Sequence, residues 1–134
     1  MAEKDGVPSS VDWKETALLV IDMQNDFILP GGPMHVEMGA SVVPAVKEAV
    51  AFAREKGALI VWVVREHDEY GRDVEHFRRH LYGEGKAKPT LKGTKGADLV
   101  EGLVIQKGDY KLEYKLQIVS GRLCLMLLHL IIPL

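Results

Sequence analysis

Two continuous apolar runs on either side of a stretch with helical periodicity leave this chain few ways to fold. The runs are Ala17-Leu-Leu-Val-Ile21 and Ala58-Leu-Ile-Val-Trp-Val-Val64. Neither shows the in-out alternation of a half-solvated strand, so both read as strands buried on both faces of a parallel sheet. Between them, Ser41 is expected to cap a helix running to about Lys56, with Pro44 tolerable in its first turn. Val42, Val43, Val46, Ala49, Val50 and Ala53 fall on one face of that helix, and Lys47, Glu48, Arg54 and Glu55 on the other. Gly57 stands where helices end in a left-handed residue. Strand, helix, strand is a βαβ unit, whose crossover makes the two strands parallel. The fold class is α/β.

The rest of the chain is less regular. Strands are expected near 16–22, 58–65 and 103–106, the last built on Leu103-Val-Ile105. From Glu66 to Lys95 the chain is polar and long for a connection, with one short helix expected at Asp73–His80. Connections of this length are usually functional or mobile. A helical turn near Ala97–Glu101 leads into the third strand.

The last 19 residues break with the composition of the others. The chain has 134 residues, 47% hydrophobic and 27% charged, enough for one domain with a real core. Of its charged residues, only Arg122 lies in 116–134, where 13 positions are apolar. Three readings of this tail stand: a buried strand or helix, a membrane anchor, or sequence not shaped for this fold. The run Leu123–Ile132 is interrupted by His129 and followed by Pro133, short of the about 20 residues a spanning helix needs, so no membrane association is expected. Residues 1–15 read as a lead-in, 16–115 as the domain and 116–134 as an apolar tail. The net charge of -2 gives no reason to expect nucleic acid. A single cysteine excludes an internal disulfide, and the polar N-terminus lacks an apolar targeting segment. The expected location is the cytoplasm.

Asp22 is the most informative residue. In open α/β sheets ligands bind outside the carboxyl ends of the strands. A carboxylate leaving an apolar strand there is partly desolvated and placed to act as a base. The plainer reading is that Asp22 or Asp26 hydrogen-bonds the turn after the strand.

The longer string, Ala17-Leu-Leu-Val-Ile-Asp-Met-Gln-Asn-Asp-Phe27, is followed by a Gly-rich turn, a helix and Leu59-Ile-Val-Trp-Val-Val-Arg65. It resembles the isochorismatase-like cysteine hydrolases, which include nicotinamidases. Trp62-Val-Val-Arg-Glu-His-Asp68 and Gly71-Arg-Asp-Val-Glu-His-Phe-Arg-Arg-His80 are most similar to plant members. The resemblance covers about residues 15 to 112. It implies a Rossmann-like three-layer fold with a parallel sheet, here incomplete in its C-terminal half. It also implies hydrolysis of a small-molecule amide or ester-like bond by an Asp, a Lys and a Cys nucleophile. The Asp maps onto Asp22. For the Lys, Lys115 is the choice, one residue out of register, with Lys111 and Lys107 as alternates. Phe27, Arg65 and His67 are candidates to line a substrate pocket.

The family's Gly-Val-x-Thr-x-x-Cys pattern is missing. The only cysteine, Cys124, stands between Leu123 and Leu125, and apolar neighbours raise a thiol pKa and leave it inert. The chain therefore reads as a shortened family member without the thiol step. Arg65-Glu-His-Asp-Glu-Tyr70 does not match the metal-binding pattern of nicotinamidases, and His76 and His80 read as residues of a solvated helix, so no metal is expected. No cofactor is expected either. Gly83-Glu-Gly-Lys86 lacks the spacing of a phosphate loop, and no Gly-x-Gly-x-x-Gly follows either strand, which disfavours a dinucleotide-binding unit. The expected partner is a small-molecule substrate. The rival from another class is a non-catalytic protein that pairs through an incomplete sheet edge, with full-length relatives or as a homo-oligomer.

Overall fold

A computed structural model of the chain describes residues 11–114 and 130–133. After a 3-10 turn at Trp13–Glu15, β1 (Thr16–Ile21) leads into a single helical turn, α1 (Asn25–Ile28). The long helix α2 (Gly39–Lys56) follows, then β2 (Leu59–Val64). An excursion with 3-10 turns at His76–Leu81 and Lys95–Ala97 precedes β3 (Tyr110–Glu113), and β4 (Leu130–Pro133) comes last.

The four strands form one sheet in the order β3-β2-β1-β4. β1 pairs with β2 in parallel, Ala17 opposite Leu59 through Ile21 opposite Val63, and β2 pairs with β3 in parallel. This is the parallel α/β sheet of the sequence reading. β4 runs antiparallel to β1, Thr16 opposite Pro133.

Leu18, Val20, Ile60 and Trp62, two residues apart along their strands, form one buried cluster with Val46, Val50 and Ala53 of α2. The alternate positions Leu19, Ile21 and Val61 are only half-buried. Ala17 and Val63 on that same face are buried, so the second face of the apolar runs is covered less completely than the first.

Several boundaries differ from expectation. The third strand is Tyr110–Glu113, not 103–106. Leu103 turns into the core just after Gly102 (φ 91°), Val104 and Ile105 are exposed, and the Val104 carbonyl accepts from Arg54. The chain bends there, and pairing with β2 begins only beyond the turn at Gly108 (φ 99°). Helix α2 starts at Gly39, after Met38 in the left-handed region (φ 67°), because Gly39 is buried within reach of Ile28, where a larger side chain has little space. Ser41 is not the cap: its hydroxyl donates back to the Met38 carbonyl. Pro44 therefore falls in the second turn, where it deprives the carbonyl of Ala40 of a partner, and Ala40 is exposed. Gly57 does end the helix in the left-handed region (φ 83°), its N–H shared between Ala53 and Arg54 carbonyls. The expected helix at Asp73–His80 is a 3-10 turn three residues later, and the turn near Ala97–Glu101 ends at Ala97.

Candidate active site

Asp22 is the residue at which β1 stops being a strand. Its N–H still donates to Val63 on β2, but its φ of 55° is left-handed, a region that Asp and Asn tolerate better than other side chains. The chain turns there, at the carboxyl end of the sheet, and enters α1.

Each polar residue of the string after β1 has a distinct partner. Gln24 is fully buried. Its side-chain amide donates to the Arg65 and Ala97 carbonyls, both at 2.7 Å, and accepts from the Arg65 N–H at 2.8 Å. Asn25 donates to the Lys95 carbonyl. The Asp26 carboxylate accepts from the Thr90 N–H at 2.6 Å. The string thus ties the ends of β1 and β2 to the segment 90–100, and the Met23 carbonyl accepts from Val100 to complete the seam.

Asp22 itself faces a cation. The Arg65 guanidinium lies 3.3 Å from its carboxylate, with side chains 7% and 11% exposed for Arg65 and Asp22. The same guanidinium stands between two rings, 5.6 Å from the centre of Phe27 and 5.8 Å from that of Tyr114. Burial pushes the Asp22 carboxyl above its ordinary range, and the attraction of Arg65 only partly offsets this. A carboxyl in that state is closer to the pKa of a working base than a solvated aspartate is.

The polar excursion after β2 folds back over this end of the sheet. His67 bonds to Thr90 and Lys92 through its backbone, as a short parallel bridge. Tyr82 donates its hydroxyl to the Pro89 carbonyl, and its ring meets His67 edge-on. Burial lowers the His67 pKa, with Asp73 3.5 Å away opposing the shift, and raises that of Tyr82 to about 12. A narrow cleft results, lined by Phe27, Arg65, His67, Arg78 and Tyr82 among others.

The three candidate pocket residues, Phe27, Arg65 and His67, therefore share one wall. The lysines are placed differently. Lys111 sits on β3 with its ammonium 2.6 Å from Glu66, and Lys107 is exposed. Lys115 and Cys124 lie outside the described residues. The residue that reaches the Asp22–Arg65 pair from the end of β3 is Tyr114, whose N–H donates to Val64. Sequence reasoning missed Arg78, which was grouped with a solvated helix. Within the 3-10 turn Arg78 is half-buried and lines the cleft, while Phe77, Arg79, His76 and His80 stay exposed. It also missed Gln24. Nothing marks a glutamine as buried when its partners are 41 and 73 residues away. Among the described residues no three His, Cys, Asp or Glu side chains converge to hold a metal ion, and no helix is long and apolar enough to cross a membrane.

A parallel sheet with a buried aspartate at the carboxyl end of its first strand is the frame of a family of small-molecule hydrolases. Residues 16–117 match the isochorismatase domain, and the chain belongs to that family. Over 101 residues it is 57% identical to a protein of Arabidopsis thaliana named "probable inactive nicotinamidase", covering 75% of this chain and 52% of that one. Among solved structures it is similar to an isochorismatase family protein from Desulfovibrio vulgaris (43% identity, TM-score 0.70, 73% of this chain and 51% of that one). It is also similar to a pyrazinamidase of Pyrococcus horikoshii in complex with zinc (28% identity, TM-score 0.60, 79% and 55%). The chain spans about half the length of these relatives.

Proposed function

We propose that this chain carries the base and substrate-binding half of a hydrolase site for a small-molecule amide or ester-like bond, and that it does not complete the thiol step by itself. The observation that carries the reading is the Asp22 carboxyl, buried at the end of β1 beside Arg65 and the cleft that Phe27 and His67 line. In the thiol route a base takes the proton of a cysteine, and the thiolate attacks the carbonyl carbon. The leaving group departs with a proton, and water then releases the acyl group from sulfur. Asp22 suits the first of these roles. The one cysteine of the sequence it could serve is Cys124, which stands between Leu123 and Leu125 and outside the family's Gly-Val-x-Thr-x-x-Cys pattern. Lys115, the lysine chosen from the sequence, keeps the supporting role in this proposal. The name of the Arabidopsis relative points the same way. The test incubates the purified 134-residue protein with nicotinamide, pyrazinamide, isochorismate and other small amides. No turnover is expected. Turnover abolished by both Cys124→Ala and Asp22→Asn would overturn the reading.

One observation favours a second reading, a non-catalytic protein that pairs through its sheet. Among the described residues β3 is an outer strand of the sheet and leaves Tyr110 and Leu112 exposed, the kind of edge on which another strand can add. Light scattering on the wild type and on Leu112→Lys distinguishes the two: an oligomer that the substitution dissociates supports this reading, and a monomer in both rejects it.

A further inference from the structure

We propose that residues 115–129 lie across the face of the sheet turned away from α2, so that this apolar face docks a segment of the chain itself and not a partner. The surface is a different one from the cleft beside Asp22, and the inference does not rest on the hydrolase reading.

Laterally paired residues in a sheet turn their side chains to the same face. The register sets Leu19 beside Val61 beside Tyr110, and Ile21 beside Val63 beside Leu112. A contiguous apolar surface therefore runs over three strands. Among the described elements, the long helix that packs on the sheet is α2, and it takes the opposite face, against Leu18, Val20, Ile60 and Trp62. The cover on the first surface is incomplete: Leu19, Ile21 and Val61 are half-buried, and Tyr110 and Leu112 are 58% and 44% exposed. A sheet that is apolar on both faces needs a layer on each, and a contiguous apolar surface left without one marks a place where something docks.

The occupant follows from where the chain leaves the sheet and re-enters it. Tyr114, just past β3, donates its N–H to Val64, and Leu130 enters β4 opposite Leu19. β2 and β1 stand between these two points, so residues 115–129 join one edge of the described sheet to the other. The gap is three strand spacings, about 14 Å, whereas the 15 residues of the segment extend to about 50 Å. Because β4 runs antiparallel to β1, both junctions open toward the carboxyl end of the parallel strands. The surplus length lets the segment run down the face and return. Its sequence suits that path. Two apolar arms, Leu116-Gln-Ile-Val119 and Leu123-Cys-Leu-Met-Leu-Leu128, flank Ser120-Gly-Arg122, a polar break of turn composition. Their apolar side chains gain by leaving water, and the face under α2 is already filled. A segment tethered at both edges meets the open face at an effective concentration on the order of millimolar, an advantage that a second copy does not share.

The test records methyl NOEs by NMR on the full chain with isotope-labelled methyl groups. NOEs are expected between Leu19, Ile21, Val61 or Leu112 and the arms at 116–119 and 123–128. In a mixture of labelled and unlabelled copies, filtered for contacts between molecules, these NOEs should vanish. Leu112→Asp puts a charge on the face at an exposed position. It should remove the NOEs to the segment and shift its methyl resonances, while those of Val46 and Val50 under α2 stay in place. Phe52→Asp, at a comparably exposed apolar site on α2, should leave the segment's NOEs intact. The wild-type NOEs decide the question if Leu112→Asp does not fold. No NOEs between the segment and this face, NOEs that persist between differently labelled copies, or the same response to both substitutions would each overturn the proposal. Persistence between copies would identify a second chain as the occupant. Turnover of amides, present or absent, has no bearing on any of these readouts.

Discussion

Gln24 holds Arg65 by both ends of one amide, donating to its carbonyl and accepting from its N–H. A side chain at the end of β1 thereby continues the parallel ladder past the point where Asp22 turns away, and fixes the residue whose guanidinium meets Asp22. Gln24→Ala removes three buried bonds and leaves two carbonyls and one N–H without partners. It should destabilise the fold by about 3 kcal/mol or more, measured as a lower urea midpoint. Gln24→Glu, which can accept but in its ionised form cannot donate, should be no better than Ala at neutral pH. A loss within about 0.5 kcal/mol, the range of ordinary surface substitutions, would show that the amide does not hold the two strand ends together.

Asp22 sets a pH dependence with a definite sign. Burial raises its native pKa above the ordinary carboxylate value, so the native state holds this proton more tightly than the unfolded chain does. The resulting stability is present below about pH 4 and is lost as pH rises through the native pKa. Asp22→Asn keeps a side chain that tolerates the left-handed backbone and removes the titration. The variant should gain on the wild type in urea midpoint as pH increases from about 4 to 7. Comparing the two proteins cancels the opposite trends of Asp68, Asp109 and Glu113, whose pKa values are lowered. Parallel pH profiles, or a wild type that gains on the variant, would contradict burial as the dominant influence on Asp22.

Gly96 is required by space. A Cβ there would run into the Asp26 carboxylate, which is held in place by the Thr90 N–H. Gly96→Ala should cost about 1–3 kcal/mol, with exchange at the Thr90 amide accelerated as Asp26 is pushed off it. In an Asp26→Ala background the same substitution should cost much less. Additive losses in the double variant would mean that the two residues do not compete for one position.

The parts of this molecule visible in its sequence are those with local physical signatures. Apolar runs of strand length, a 3.6-residue stripe of valines and a glycine at a helix end reveal β1, α2 and β2 within a few residues. The strand position of Asp22 follows from the abrupt end of the first run. β3 was misplaced because Leu103-Val-Ile105 has strand composition, whereas Tyr110–Glu113 is a mixed segment whose pairing depends on where the preceding turn leaves it. The cleft was half legible. Phe27, Arg65 and His67 adjoin the strand ends, but Arg78 and Tyr82 arrive through an excursion whose path is set by bonds between residues far apart in sequence. No periodicity encodes that Thr90 binds Asp26 or that His67 pairs with Thr90.

Asp109, in the turn before β3, illustrates a structural role that composition hides. One of its oxygens accepts from the Trp62 indole N–H at 2.8 Å, from the Gln106 N–H at 2.9 Å and from Arg54. Trp62 is fully buried, so its N–H has no recourse to water if that oxygen is removed. Asp109→Ala should lower stability by about 3 kcal/mol, since it leaves a buried indole donor without its acceptor and strips the countercharge from a partly buried guanidinium that keeps the Val104 carbonyl. Asp109→Asn, which keeps an acceptor for Trp62 but not the charge facing Arg54, should lose less. Trp62→Phe separates the two contributions in a double-mutant cycle with Asp109→Ala, and a coupling within about 0.5–3 kcal/mol is expected for groups in direct contact. Because Tyr110 follows at once and pairs with Val61, hydrogen exchange across Tyr110–Glu113 should accelerate in Asp109→Ala more than exchange along β1. Uniform acceleration throughout the sheet would show instead that Asp109 stabilises the whole fold and does not specifically anchor β3.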